Sequence, residues 1–398
     1  MPVVAMLFAL ALLKGIRMPN RWSVTHYLFN YQTGFIKRGL FGEVLRQVLG
    51  QWTAHYFAMA AVAIAVGVVM LLLIVRECRR LPRVAETLPF LLVFVASPAI
   101  SFSVHLVGYL EEVTYIVWLL VLLQRRRWAL QVAAALAAAV VLPLIHDASI
   151  LWVGALTCLT LIAGAAARDR SPRARLAAIA AVGVVWVAST LVVSSAGRVS
   201  PERAGLIRDQ QTAFFDIRPR QDAFQTLTQT SSAALVDMKQ RWAEPDVQQD
   251  MVLSLFVFAP AMIFLGVVAV RRARICDDSA AIRVAASALV VLAIASPLLL
   301  HVVAWDRHRW NSLATLNAGL AALVLVGAPR REQQSRAPAS PMATIGVALA
   351  ISVWSIAADP VFFDNYAPSH PPYTGQVYFL LEALRTGDRA MWIPPPGN

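Results

Sequence analysis

Cysteine is nearly absent from this 398-residue chain: it has only Cys78, Cys158 and Cys276. None of them forms a CxxC pair, so a thiolate metal site is not expected. On the topology argued below none lies outside the membrane, which leaves no extracytoplasmic disulfide. Charge is scarce as well. Asp, Glu, Lys and Arg make up 15% of the residues against 58% hydrophobic, and the mean hydropathy is +0.62. Soluble chains run nearer about 45–50% apolar, so a soluble domain is excluded. No internal repeat is present, so the inverted-repeat signature of many transporters is missing. The first run, Val3 to Leu13, lacks a basic leader and a small-x-small cleavage site, and reads as an uncleaved anchor.

What the chain does have is about eleven apolar stretches of bilayer-crossing character, at approximately 2–16, 54–75, 87–107, 112–124, 128–145, 148–167, 176–195, 251–270, 284–303, 311–328 and 342–357. The loops between them differ in charge. One set carries Arg76/Arg79/Arg80/Arg83, Arg125/Arg126/Arg127, Arg168/Arg170/Arg173/Arg175, Arg271/Arg272/Arg274 and Arg330/Arg331/Arg336. By the positive-inside rule this set is cytoplasmic. The expected fold is an all-α polytopic membrane protein, a single transmembrane domain over 1–398, with its N-terminus inside and its C-terminus outside. The net charge of +12 is then topogenic and directed at anionic headgroups, and nucleic acid is not an expected partner. Three soluble stretches face outward: a basic loop at 17–53, a large loop at 196–250 and a tail at 358–398. In the large loop, Ser200-Pro201-Glu202-Arg203 reads as a helix start, and a second helix is expected from Ala223 to Ala243. The tail is expected to hold a short helix at 376–385.

The alternate loops carry the acid, base and aromatic chemistry. The basic loop holds Arg17, Arg21, Lys37, Arg38 and Arg46 against one acid, Glu43. Cations retained in a translocated loop point to an anionic ligand there. Within it, Tyr31 opens a segment running to Glu43, in which Gly34, Gly39 and Gly42 permit close backbone approach. Lys37 and Arg38 present donors suited to phosphate oxygens. The alternative for this segment is an amphipathic helix whose cations snorkel to headgroups. Asp306, Arg307, His308 and Arg309 sit between Trp305 and Trp310, at a connection too short to be a flexible loop. Asp306 is a candidate base or orienter there, and Arg307, His308 and Arg309 are candidate substrate contacts. His146 and Asp147 lie at a sharp turn that Pro143 is expected to force by breaking the preceding helix. Glu111 and Glu112 open the 112–124 stretch, where carboxylates also favour a helix N-terminus. Any of these acids, or His146, could take a proton from a hydroxyl. His105 and His301 are expected to bond neighbouring helices. No metal is expected, because no ligand spacing supports one.

The segments Tyr31-x-x-Gly34-Phe35-x-x-Arg38-Gly39-x-x-Gly42, Gly108 to Glu111, His146-Asp147 and Trp305 to Trp310 resemble those of uncharacterised polytopic proteins from bacterial surface-polysaccharide gene clusters. Those are similar in plan to Wzy-type polysaccharide polymerases and, more distantly, to lipid-linked-sugar (GT-C) glycosyltransferases. The chain departs from the GT-C pattern in lacking an Asp-rich first outer loop. The resemblance implies a bacterial inner-membrane, metal-independent and cofactor-free glycan transferase. Its donor would be a polyprenyl-pyrophosphate-linked saccharide, and its partners membrane lipid and other polysaccharide-assembly proteins. A flippase for the same lipid-linked anion, or a non-catalytic assembly subunit, are the alternatives.

Overall fold

In lipid, a segment must satisfy its own backbone hydrogen bonds, so long apolar runs fold as helices. The computed structural model describes residues 2–16, 18–82, 87–164, 169–304, 306–328 and 341–358, and its strandless described residues are built on helices. In chain order these are α1 (Pro2–Gly15), α2 (Arg21–Tyr27), α3 (Gly39–Leu49), α4 (Tyr56–Arg79), α5 (Thr87–Ala96), α6 (Pro98–His105), α7 (Leu110–Leu123), α8 (Trp128–Ile145), α9 (Ala155–Ala163) and α10 (Pro172–Ala196). There follow α11 (Pro201–Phe214), α12 (Gln221–Thr228), α13 (Ser231–Arg241), α14 (Pro245–Ala273), α15 (Ala280–Leu298), α16 (Arg307–Val326) and α17 (Pro341–Ala357).

Every expected apolar stretch contains a helix, but among the described residues six are long and apolar enough to cross a membrane: Tyr56–Arg79, Thr87–His105, Trp128–Ile145, Pro172–Ala196, Pro245–Ala273 and Ala280–Val302. The apolar helices Pro2–Gly15, Ile150–Ala163 and Met342–Ala357 are shorter. Two local expectations are corrected. Pro143 does not end its helix, since α8 continues to Ile145; the turn comes only at His146, whose backbone is extended. The expected helix from Ala223 to Ala243 is two helices, because Thr230 leaves the helical region and caps α13 by accepting from Ala233 N at 3.1 Å. The Arg clusters and the tail fall partly or wholly outside the described residues: Arg83, Arg168, Arg330, Arg331, Arg336, and the tail helix at 376–385. Arg17 and Trp305 lie outside them too.

α16 is the central helix. It is buried along its length apart from His308, and packs against α14, α15, α6, α9 and α5. Gly319 makes room for the Phe94 ring, since a Cβ there would come within 2.2 Å of it. Several polar groups inside the bundle are paired, as a water-poor interior favours. Asn317 donates to the carbonyls of Trp152 (2.8 Å) and Ala293 (2.7 Å) and accepts from Tyr115 Oη (2.8 Å). Asn311 donates to Ser254 Oγ at 2.8 Å and meets His301 Nε2 at 3.1 Å, so His301 does bond a neighbouring helix.

Contacts sort the helix ends into two groups. At one end, Glu77 accepts from Arg80 and Arg125, and Arg175 donates to Asp277 at 2.7 Å. The described members of the Arg clusters belong here. At the other end, Lys37 N donates to Gly197 O (2.9 Å), Tyr56 N to Asp216 Oδ1 (2.8 Å) and Trp242 Nε1 to His301 O (3.0 Å). Lys14 joins the C-terminal ends of α1 and α17 by donating to Ser355 O at 3.0 Å, so the first and last helices run in parallel. The basic loop and the large loop form one layer over this second end. Phe29, Ile36, Val199, Ala204, Ile207, Ala223, Phe224 and Leu227 make its small core. Arg203 donates to Thr33 O, and Gln211 Nε2 to Leu28 O at 2.9 Å.

Candidate functional site

The chemistry-bearing segments meet beneath that layer. α3 begins at Arg38, whose backbone sits in the left-handed region at φ 62°. That conformation is uncommon for a residue with a side chain. Here it turns the chain so that Arg38 reaches the α8 turn. Arg38 Nε donates to Asp147 Oδ1 at 2.9 Å, and Nη1 lies 3.4 Å from His26 Nε2. His26 Nδ1 lies 2.9 Å from Trp22 O, which fixes the proton on Nδ1 and leaves Nε2 to accept from Arg38. Burial, reinforced by Arg38, lowers His26 to about 3, so the ring is neutral at ordinary pH. Nη2 of Arg38 makes no hydrogen bond among the described residues and is the free part of the fork. Lys37 Nζ lies 3.7 Å from the other Asp147 oxygen.

Burial alone would raise the Asp147 carboxyl, but Arg38, by charge and hydrogen bond, and Lys37 hold it below its usual range. His146 is pushed well below its ordinary value, first by burial and then by Arg38. Its Nδ1 accepts from Ala148 N at 3.3 Å, so the proton is on Nε2. The 3.4 Å approach of that Nδ1 to Asp147 is therefore not an ion pair. His146 and Asp147 do not form an acid–base dyad; Asp147 is engaged by the two cations.

The second cluster adjoins the first. Arg309 donates to Glu111, lies 3.8 Å from Asp306 Oδ2, and stacks over the Tyr109 ring at 4.4 Å. Asp306 caps α16 by accepting from Arg309 N at 3.4 Å. Glu112 Oε2 accepts from Gly108 N at 3.1 Å, where Gly108 turns the chain at φ 94°. Glu111 Oε2, Glu112 Oε1 and Arg309 Nε are buried with no hydrogen-bond partner among the described residues. They border a small cavity of roughly 20 Å³, lined also by Tyr109, Tyr115 and Ser312 and, on its apolar side, by Met70, Leu106, Leu313 and Leu316. Tyr27 is buried near Glu111 and Glu112. Burial, then the charges of Glu112 and Glu111, raises its hydroxyl well above the usual range, so it remains a donor. The arrangement offers open carboxylate oxygens beside guanidinium donors in a dry site.

Other sequence candidates lie elsewhere. Arg307 turns away to Val247 O and to Asp250, 3.3 Å off, on α14. Tyr31 packs its ring on Gly39, where a Cβ would sit 2.4 Å from it, and stacks on Phe35 at 5.6 Å. Burial raises the Tyr31 hydroxyl to about 12. Arg21 stands at the start of α2, and His308 is half-buried in the first turn of α16. Gly42 serves packing: a Cβ there would lie 2.1 Å from Phe29 O. Glu43 is taken by Arg46 at 2.6 Å and Gln47 at 2.9 Å, which lowers it to about 2. His26 and Tyr27 were missed by the sequence reading, although the Trp22–His26 spacing of one helical turn was there to signal the first.

The fold and this site define an all-helical, multi-pass membrane protein with a polar centre at one end of its bundle. Residues 1–210, just over half of the chain, match the family model described as uncharacterised membrane protein Rv1490, and the chain belongs to that family. The match covers the basic loop, Glu111/Glu112 and His146/Asp147, but not Asp306 to Arg309. No curated protein and no solved structure matches the chain, so the expected resemblance to Wzy-type polymerases and GT-C enzymes finds no support in these comparisons.

Proposed function

We propose that the protein is an inner-membrane glycan transferase or polymerase that uses a polyprenyl-pyrophosphate-linked donor on the extracytoplasmic face. Eleven helices cross the membrane, with the N-terminus inside and the C-terminus outside. The observation that carries the reading is the convergence of Lys37/Arg38, Glu111/Glu112, His146/Asp147 and Asp306/Arg309 at the end opposite the Arg loops. Arg38 Nη2, Lys37 and Arg309 receive the pyrophosphate, where preorganised donors in a dry site act strongly. The acceptor hydroxyl oxygen bonds to the anomeric carbon as the bond from that carbon to the phosphate oxygen breaks. The hydroxyl proton passes to Glu112, and the polyprenyl pyrophosphate leaves with the bonding electrons. Asp306 orients Arg309, and Asp147 orients Arg38.

A flippase for the same donor would need charge along a path through the bundle. Among the described residues the buried charges sit near helix ends: Lys14, Lys37, Glu77, Glu111, Glu112, Arg175, Arg272, Arg307 and Arg309. This favours surface chemistry. The test is product formation by purified protein in lipid nanodiscs supplied with a polyprenyl-pyrophosphate-linked oligosaccharide. Wild type should lengthen the glycan. Glu112→Gln should bind donor and fail to transfer it, and Arg38→Lys should be nearly as impaired as Arg38→Ala, because the planar fork is lost. Absence of transfer by wild type, together with donor crossing the bilayer of proteoliposomes, would replace this reading with the flippase.

A further inference from the structure

α3 lies at the site end of the bundle, packed on α2 and α8. Its covered side is Gly42, against the Tyr27 and Phe29 carbonyls, together with Leu45. At about 100° per residue, the remaining positions divide into two arcs. One holds Glu43, Arg46 and Gln47, which bond one another. The other holds Leu40, Phe41, Val44 and Val48. Val44 is 46% exposed and Val48 73%, and Trp52, in the short 3-10 turn that follows, is 67% exposed. Side chains this apolar gathered on one uncovered face mark an interaction surface. The face continues into surfaces that meet lipid. The chain runs from Trp52 directly into α4, where Phe57 and Ile64 are each 40% exposed, and α8, packed on α3, exposes Val140 at 46%. Both α4 and α8 are long and apolar enough to cross the bilayer.

We infer that α3 and its following turn form an interfacial helix whose Val44–Val48–Trp52 face is seated in the headgroup–acyl boundary of the adjoining leaflet. Glu43, Arg46 and Gln47 face water, as the polar side of such a helix does. The seating sets the depth of the site. Lys37 and Arg38, at the start of α3, stand level with the lipid phosphates, so a lipid-borne anion reaches them along the membrane surface. The inference does not depend on the transferase reading, since it concerns any lipid that borders α3.

The test uses full-length protein with Cys78, Cys158 and Cys276 replaced by alanine, carrying Val48→Cys or Gln47→Cys labelled with a small fluorophore. In phosphatidylcholine vesicles with brominated acyl chains, the probe at 48 should lose on the order of half its emission to the lipid, as a side chain at the acyl boundary would. The probe at 47 should be quenched by aqueous iodide. Photo-crosslinking of the unsubstituted protein to a diazirine phosphatidylcholine gives a second measurement, with adducts expected at Val44, Val48 or Trp52 and not at Glu43 or Gln47. Iodide quenching at 48 without bromolipid quenching would overturn the inference in favour of a water-facing helix. Shielding of that probe from both quenchers, without lipid adducts, would overturn it in favour of a covering protein surface.

Discussion

Replacing Asp147 by asparagine removes the one acid among the described residues that pairs with Lys37 and Arg38, while the shape is kept. Arg38 Nε is 2.9 Å from Asp147 Oδ1 and Lys37 Nζ is 3.7 Å from Oδ2, with Asp147 and Arg38 side chains each 16% exposed. At an effective dielectric near 20, unit charges 4 Å apart attract by about 4 kcal/mol. The cost of desolvating the three groups offsets part of this in the wild type. The variant keeps that cost without the attraction, which is why breaking a buried pair costs about 3–5 kcal/mol. Two features place Asp147→Asn toward the lower end, at about 3 kcal/mol: Lys37, already lowered by burial, can shed its proton, and Arg38 keeps His26. SDS-induced unfolding in mixed micelles measures the loss, and a double-mutant cycle with Arg38→Gln isolates the pair. A coupling of about 2 kcal/mol is expected; additivity within about 0.5 kcal/mol would refute the argument, because contacting residues with a real interaction do not add. Asp147 also occupies the Nε side of the fork that a phosphate could share. Inorganic pyrophosphate should therefore stabilise the variant more than the wild type.

Three further outcomes can be checked. His26 is held at about 3 against an unfolded value near 6.5, so the stability it contributes is complete above pH 6.5 and is lost as the pH falls from there toward 3, at up to about 1.4 kcal/mol per unit. His26→Gln should flatten the decline measured between pH 6.5 and 4.5 by that slope; an unchanged slope would show that the ring titrates normally. Gly42→Ala puts a methyl 2.1 Å from Phe29 O and should cost about 1–3 kcal/mol, read by the same unfolding assay, with loss of the α3 contact to α2. Reporter fusions after Arg127, Arg175 and Arg274 should report cytoplasm and fusions near Gln225 the other side, and an external signal from any of the three would break the topology.

The helices were legible because hydrophobic length is a property of the local sequence, and so were the ends at which they meet. The spacing of the Arg clusters placed Arg125 and Arg175 at one end of the bundle, where Glu77 and Asp277 receive them. The cap at Ser200 was legible for the same reason, since Ser-Pro-Glu-Arg is self-contained and Ser200 Oγ accepts from Arg203 N at 3.3 Å. Span number was less so. α16 reads as an ordinary apolar stretch, yet it carries Asn311, Ser312, Thr315 and Asn317 and is surrounded by other helices. Burial by neighbours, unlike burial in lipid, leaves no periodic mark when every face of a helix is covered.

Pairing across the sequence was the least legible, and it changes which acid the proposed transfer would use as its base. Read alone, Asp306 between arginines is the natural base. In the fold its carboxylate is committed twice, to the first turn of α16 and to Arg309, while Arg307 is drawn off to α14. Glu112 looked like a helix-start acid, yet its Oε1 is buried without a hydrogen-bond partner beside Gly67, on α4, where a Cβ would stand 3.2 Å from that oxygen. An unpaired carboxylate oxygen in a buried site is held at a cost that hydrogen bonding would remove. A packed core retains such a group only where the rest of the structure over-determines it, here through Gly108 N on the other oxygen and Arg309 on its neighbour Glu111. The energetic asymmetry between a satisfied Asp306 and an unsatisfied Glu112 is the physical ground for moving the base from the first to the second.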